Sequence, residues 1–200
     1  MPLGDSITDG YFVPGGYRIE LWYGLKKQGY PVEFVGSASN GPDTLPDRNH
    51  EGHSGWRIDQ IHEQIAGWLQ ITRPDIILLL IGTNDIAQGY KIETAPDRLD
   101  RLVEDIFKVV PQVQLFVGSI PPIGEPALNQ RTIAYNQTVK ALVQRRQEAG
   151  DQINFVDFYY ALGLDDLPDG VHPNREGFRK IARAWEKAIG DPTVMLEEAR

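Results

Sequence analysis

Short apolar runs alternate along this chain with longer stretches in which apolar residues recur every three or four positions. Val32 to Val35, Ile76 to Ile81, Val113 to Val117 and Ile153 to Val156 are too short for helices and rich in β-branched residues, which predicts strands. A short strand at Met1 to Leu3 brings the expected number to five. Tyr17 to Gln28, Ile58 to Ile71, Ala95 to Val109, Leu128 to Glu148 and Arg175 to Ile189 carry the helical period and mostly end near Gly or Pro. Strands without polar alternation suit a parallel sheet covered on both faces, so the pattern predicts an α/β protein: a three-layer α/β/α sandwich around a five-stranded parallel sheet with right-handed crossovers. Residues 1–190 are expected to form one domain, followed by a C-terminal tail at 191–200. Ser37 to Ser54, rich in Gly, Pro, Asn and Asp, is expected to be a long surface loop.

Composition narrows the partners. With 28 acidic against 20 basic side chains and a formal charge of -8, the chain lacks the concentrated basic footprint that a nucleic-acid partner requires. No cysteine is present, which excludes disulfides and thiolate chemistry. The longest apolar run is far shorter than a bilayer span, and no basic segment followed by an apolar stretch opens the chain. As it stands the chain reads as cytoplasmic; a start upstream of Met1, where a lead-in to the first strand is expected, would allow secretion. Nothing in the sequence fixes the oligomeric state.

In open α/β sheets, ligands bind beyond the carboxyl ends of the strands, and the polar motifs collect there. Gly4-Asp5-Ser6-Ile7-Thr8 follows the first strand, and its glycine permits a tight turn presenting a serine hydroxyl. Glu51-Gly52-His53-Ser54-Gly55-Trp56 ends the long loop, Gly82-Thr83-Asn84-Asp85 follows the third strand, and Asp169-Gly170-Val171-His172-Pro173 precedes the last helix. A serine attacks an acyl carbon when a histidine takes its proton and a carboxylate orients that histidine, which points to Ser6, His172 and Asp169. The oxyanion that forms needs donors, for which the backbone amides of Ser6 and Gly55 and the side-chain amide of Asn84 are suited. Asp5 and Trp56 are candidate substrate contacts, and Trp56, Tyr11 and Tyr90 are candidate aromatic surfaces for a sugar. No cofactor and no metal is implied.

From Gly4 to about Phe178 the chain resembles the SGNH (GDSL-like) hydrolase superfamily, whose four ordered blocks supply Ser, Gly, Asn and His. The resemblance implies a flavodoxin-like SGNH hydrolase fold, with Ser6 as nucleophile, Gly55 and Asn84 as oxyanion donors, His172 as base and Asp169 as its orienting carboxylate. Met1-Pro2-Leu3-Gly4-Asp5-Ser6-Ile7-Thr8 and Glu51-Gly52-His53-Ser54-Gly55-Trp56 are most similar to carbohydrate esterase family three, which includes acetylxylan esterases. The expected function is a serine esterase that hydrolyses short-chain acyl esters of small molecules or carbohydrates, including O-acetyl groups, through an acyl-serine intermediate.

Other readings remain open on the residues alone. His50, His53 and His172 with Asp5, Asp9, Asn84 and Asp85 are candidate ligands for a metal-dependent phosphoesterase. A binding module that retains the fold without catalysis is another. Ser54 is a rival nucleophile, although its spacing to Gly55 does not match a nucleophile elbow. Asp5, Asp9 and Asp85 are expected as turn formers or helix caps, and His62 as a satisfied surface histidine.

Overall fold

The computed structural model describes residues 1–191, so of the expected tail at 191–200 all but Asp191 lie outside the described residues. Six strands form one sheet in the order β2-β3-β1-β4-β5-β6. β1 (Pro2–Gly4), β3 (Asn49–Gly52), β4 (Ile76–Leu80), β5 (Gln114–Gly118) and β6 (Ile153–Val156) are parallel, and β2 (Ala38–Ser39) is a short antiparallel edge on β3. The five parallel strands follow the flavodoxin-like order, in which β1 and β4 flank the point where the winding reverses.

Successive strand residues face opposite sides of a sheet, and Ile77, Leu78, Leu79 and Leu80 are all buried, so β4 is covered on both faces. The helices are α1 (Ser6–Asp9), α2 (Gly16–Lys27), α3 (Ile58–Thr72), α4 (Thr83–Ala87), α5 (Ala95–Val109), α6 (Pro126–Glu148) and α7 (Arg175–Ile189). α2 packs on α7, α3 packs on α5, and α5 packs on α6. Each long helix buries the stripe its sequence marks: Ile58, Ile61, Ile65 and Leu69 on α3, and Phe178, Ile181, Trp185 and Ile189 on α7. Asn174 caps α7 by accepting from the Gly177 amide.

One strand lies elsewhere than the apolar pattern predicts. Val32 to Val35 forms no ladder, and Asn49–Gly52, within the stretch expected as loop, pairs with β1, placing Leu3 opposite Glu51 and Gly4 opposite Gly52. Side-chain carboxylates take the amides around the apolar run: Phe34 N–H donates to Asp47 and Ser37 N–H to Glu51. Gly36 lies so close to β3 that a Cβ there would stand 2.2 Å from the His50 carbonyl oxygen. The expected loop therefore contains both the sixth strand, β2, and the true neighbour of β1.

β1 is gripped hardest at its last residue. A Cβ on Gly4 would stand 2.1 Å from the Leu80 carbonyl oxygen and 2.7 Å from Thr8 Oγ1. The Leu80 atom is backbone in the sheet and cannot rotate away. Gly4→Ala is therefore expected to cost about 2 to 3 kcal/mol, the upper range for overpacking a core. A urea midpoint unchanged from the native chain would show that β1 and β4 can separate at little cost.

Candidate active site

The tight turn after β1 leads directly into α1, and the Asp5 carboxylate caps that helix by accepting from the Ile7 amide at 3.0 Å. Ser6 is thereby fixed at the carboxyl edge of β1, only 4% exposed. From the opposite end of the chain, Asn174 N–H donates to the Asp166 carbonyl at 2.7 Å, and Gly124 N–H to that of Gly170 at 2.7 Å. These bonds hold the Asp169–Pro173 segment over α1. His172 Nε2 lies 2.9 Å from Ser6 Oγ, and His172 Nδ1 lies 2.7 Å from Asp169 Oδ2.

Asp169 Oδ1 accepts from the amides of Val171 at 2.9 Å and His172 at 2.7 Å. Partial burial pushes the Asp169 carboxyl up, but the His172 ring and these two amides together outweigh it and hold the group below its usual range. Ionised Asp169 accepts a hydrogen bond from His172 Nδ1–H, which leaves Nε2 with the lone pair facing the serine hydroxyl.

The second and third motifs meet beyond the carboxyl ends of β3 and β4. Asn84 Nδ2 donates to the Trp56 carbonyl at 2.8 Å, and Gln88 Nε2 donates to the Gly55 carbonyl at 3.2 Å. Asn84 carries two amide hydrogens, so this bond leaves one for another acceptor. Gly55 has φ +83°, and no atom lies within 4 Å of where its Cβ would be. The backbone conformation, rather than a crowded neighbour, calls for glycine there.

The loop carrying Gly55 is clamped from several sides. The His53 ring stacks with two indoles, its centroid 4.4 Å from that of Trp56 and 4.8 Å from that of Trp68, and its Nε2 meets buried Glu51 at 2.8 Å. Ser54 Oγ donates to Asp9 Oδ2 at 2.5 Å, so the rival nucleophile faces a carboxylate and has no imidazole base. Asp9 also accepts from Asn40 Nδ2, and fully buried Arg18 ties the Thr8, Asp9, Asn40 and Arg48 carbonyls together. The contributions of Gln88, Trp68 and Arg18 have no signal in the sequence beyond ordinary helix positions.

Other expected residues fall in different surroundings. Asp5 is fully buried and caps α1, so it does not reach a substrate on the surface. Trp56 is half-buried in the indole stack, and Tyr90 lies under Arg57 at 4.1 Å. Asp85 accepts from Arg98 at 2.6 Å and from the Ile58 amide at 3.1 Å, capping α3 across the loop. His62 is paired with Asp105 at 2.7 Å. Among the described residues no three His, Asp or Glu side chains converge as a metal site, so the proposed phosphoesterase ligands are dispersed among these separate roles. A cavity of about 640 Å³ opens at the amino ends of the strands, around Met1, Phe34, Ile76 and Gln114, and brings neither serine nor histidine to its wall. No helix among the described residues is long and apolar enough to cross a membrane.

Burial raises the Asp5 carboxyl to about 6, against the opposing pull of the Ile7 amide. Its Oδ2 and the Thr83 hydroxyl are both buried with no hydrogen-bond partner among the described residues. An acid with a raised folded pKa keeps its proton longer in the folded state, so its contribution to stability falls as pH climbs from 3.8 toward about 6. Asn can still accept from the Ile7 amide and can donate to Thr83. The stability of Asp5→Asn relative to the native chain should therefore rise by about 2 kcal/mol between about pH 4 and about pH 7. Denaturation midpoints across that range check it, and a constant difference between the two chains would contradict a buried, titrating Asp5.

Residues 3–180 match the GDSL-like Lipase/Acylhydrolase family. A multidomain esterase of Ruminococcus flavefaciens is 34% identical over 217 residues, which cover 94% of this chain and 28% of that protein. The chain thus spans little more than a quarter of this relative's length. A family 3 carbohydrate esterase of Clostridium thermocellum is 38% identical and superposes with a TM-score of 0.85, covering 94% of this chain and 92% of the other. An acetyl esterase, solved as a serine-to-alanine mutant with acetate ion, is 29% identical with a TM-score of 0.85 and covers 100% and 98% of the two chains. By its matched residues and these relatives, the chain belongs to the GDSL-like lipase/acylhydrolase family and has the SGNH hydrolase fold.

Proposed function

We propose that this esterase hydrolyses short-chain acyl esters, O-acetyl groups of carbohydrates among them, through an acyl-Ser6 intermediate. The continuous chain from Ser6 Oγ to His172 Nε2 at 2.9 Å and from His172 Nδ1 to Asp169 Oδ2 at 2.7 Å carries the reading. Ser6 Oγ attacks the acyl carbon as His172 Nε2 takes its proton, and Asp169 stabilises the resulting imidazolium. The carbonyl oxygen becomes an oxyanion that the Ser6 and Gly55 amides and the free Asn84 amide hydrogen receive, each such donor lowering the barrier by roughly 3 kcal/mol in related chemistry. Collapse breaks the bond to the alcohol oxygen, which takes the proton from His172. Water then adds to the acyl-enzyme with His172 again as base, releasing the acid and restoring Ser6.

The acetyl preference draws on the acetyl esterase and the carbohydrate esterase among the relatives. A single domain over residues 1–190 suffices for this chemistry, since every proposed group lies within it. The test is hydrolysis of 4-nitrophenyl acetate, butyrate and octanoate by the native chain and by Ser6→Ala, with and without a chelator. Acetate is expected to be cleaved fastest, with the rate unaffected by chelation and lost in Ser6→Ala. Activity that survives in Ser6→Ala but disappears with the chelator would replace this mechanism with a metal-dependent one.

Asn84→Ala should lower kcat by roughly two to three powers of ten with a smaller effect on KM, because its free hydrogen is offered to charge that develops only in the transition state. Steady-state kinetics on 4-nitrophenyl acetate separate the two. A rise in KM at constant kcat would instead assign Asn84 to ground-state binding.

A further inference from the structure

Beside the His172 ring the surface is aromatic and open. Tyr11 lies 4.6 Å from His172 between ring centroids, and Phe12 lies 5.7 Å away, edge-on. The two rings are tilted 47° to each other at 4.7 Å and are 48% and 58% exposed. Neither ring belongs to the hydrophobic core or packs against it as a partly buried side chain.

The backbone that presents them is unfavourable for the residue it carries. Val13 N–H donates to the Gly10 carbonyl at 3.0 Å, closing a turn with Phe12 in third place at φ +68°. A positive φ at that position ordinarily selects glycine and is an outlier for a bulky side chain. The next turn obeys the preference: Gly16 N–H donates to the Val13 carbonyl at 2.7 Å, and its third residue, at φ +91°, is Gly15. Two consecutive turns of one loop thus use glycine where nothing else is needed and phenylalanine where a ring is held over His172. Arg73 and Lys91 also take positive φ, but only Phe12 does so with a bulky ring set against His172, which motivates a functional reading of that strain.

The chemistry says which part of a substrate meets these rings. The oxyanion donors, Gly55 and Asn84, mark where the acyl oxygen sits, whereas His172 must return its proton to the departing alcohol oxygen. Groups that flank His172 therefore face the leaving group. We propose that Tyr11 and Phe12 form the leaving-group platform of this esterase and that the alcohol they receive is a pyranose, packed by its C–H face. This rests on the acyl-Ser6 reading above. An open pair of tilted rings covers one face of a flat ring while its hydroxyl edge stays in water. A fatty alkyl chain would gain mainly from an enclosed apolar channel, which two half-exposed rings do not provide.

The experiment compares peracetylated methyl xylopyranoside with ethyl acetate, on the native chain, Phe12→Gly and Tyr11→Ala. Each variant should lower the ratio of kcat/KM for the sugar acetate to that for ethyl acetate about tenfold, chiefly through KM of the sugar ester. Because glycine suits the turn, the Tm of Phe12→Gly should stay within a few degrees of the native value. An unchanged ratio, with both esters slowed alike, would mean that the rings serve only to steady His172. A shift between ethyl acetate and ethyl butyrate in place of the sugar effect would put the rings on the acyl side. Either result overturns the platform.

Titration of the native chain with methyl xylopyranoside, followed by the aromatic NMR signals of Tyr11 and Phe12, reads the platform without turnover. Shifts at those two rings are expected, and their absence would overturn it. Ser6-independent hydrolysis alongside such shifts would sink the acyl-enzyme mechanism while leaving the sugar site standing.

Discussion

At Gly4 the Leu80 carbonyl oxygen stands 2.1 Å from where a Cβ would be, so β1 and β4 approach at their carboxyl ends more closely than any side chain would allow. These are the two strands at which the winding of the sheet reverses, where the loops diverge and leave a crevice. The close approach sets the scale of that crevice. Ser6 leaves β1 two residues beyond Gly4, and Asn84 leaves β4 four residues beyond Leu80, so a hydroxyl and an amide donor from distant parts of the chain open onto the same small space. His172, 166 residues from Ser6, is brought over it by a loop whose own carbonyls and carboxylate are bonded in place.

A crevice made of loop ends keeps catalytic geometry only if the loops are stiff, and here the stiffness comes from polar side chains more than from apolar packing. The Gly55 and Trp56 carbonyls are both held by side chains from the α4 region, Gln88 and Asn84. Asp9 joins the end of α1 to Ser54, and Arg18, fully buried, connects that helix end to the 40–48 segment through four carbonyls. Burial lowers the Arg18 guanidinium to about 10, still charged near neutrality, so its hydrogen bonds remain charge-assisted. Removing one member of such a network strands its partners away from water, which costs more than the bond itself contributes.

Periodicity made most of the fold legible. Ala95–Val109, Arg175–Ile189 and Ile153–Val156 appear with the bounds their apolar spacing predicts, and the four polar motifs fall at loop ends because a parallel sheet sends them there. The failure at the second strand has a definite cause. Asn49–Gly52 is Asn-His-Glu-Gly, which reads as loop because a strand buried at His50 and Glu51 is expected to be apolar. Its burial is tolerable since Glu51 is met by Ser37 and His53, and His50 accepts from the Gly52 amide. His53 and the Gly52 amide lie two residues from the groups they meet and Ser37 fourteen residues away, and no apolar pattern announces any of these bonds. The residues proposed as catalytic were visible because their chemistry restricts residue type. Gln88, Arg18 and Trp68 were not, because holding a loop can be done by many residue types at many places.

The same contrast separates the two sides of the reactive crevice. On the side of the proposed oxyanion donors, the Asn84 amide and the Gly55 carbonyl are held by hydrogen bonds and the glycine at 55 matches the backbone it occupies, so sequence and conformation agree. On the His172 side, the turn holds Phe12 at φ +68° against its own preference, and the ring stays more than half exposed. A fold that places glycine at the equivalent point of the very next turn has no structural need for that phenylalanine. Arg73 and Lys91 also take positive φ, but of the three only Phe12 sets its ring against His172, so its conflict between local preference and observed residue falls on the flank where the proposed mechanism passes the departing alcohol.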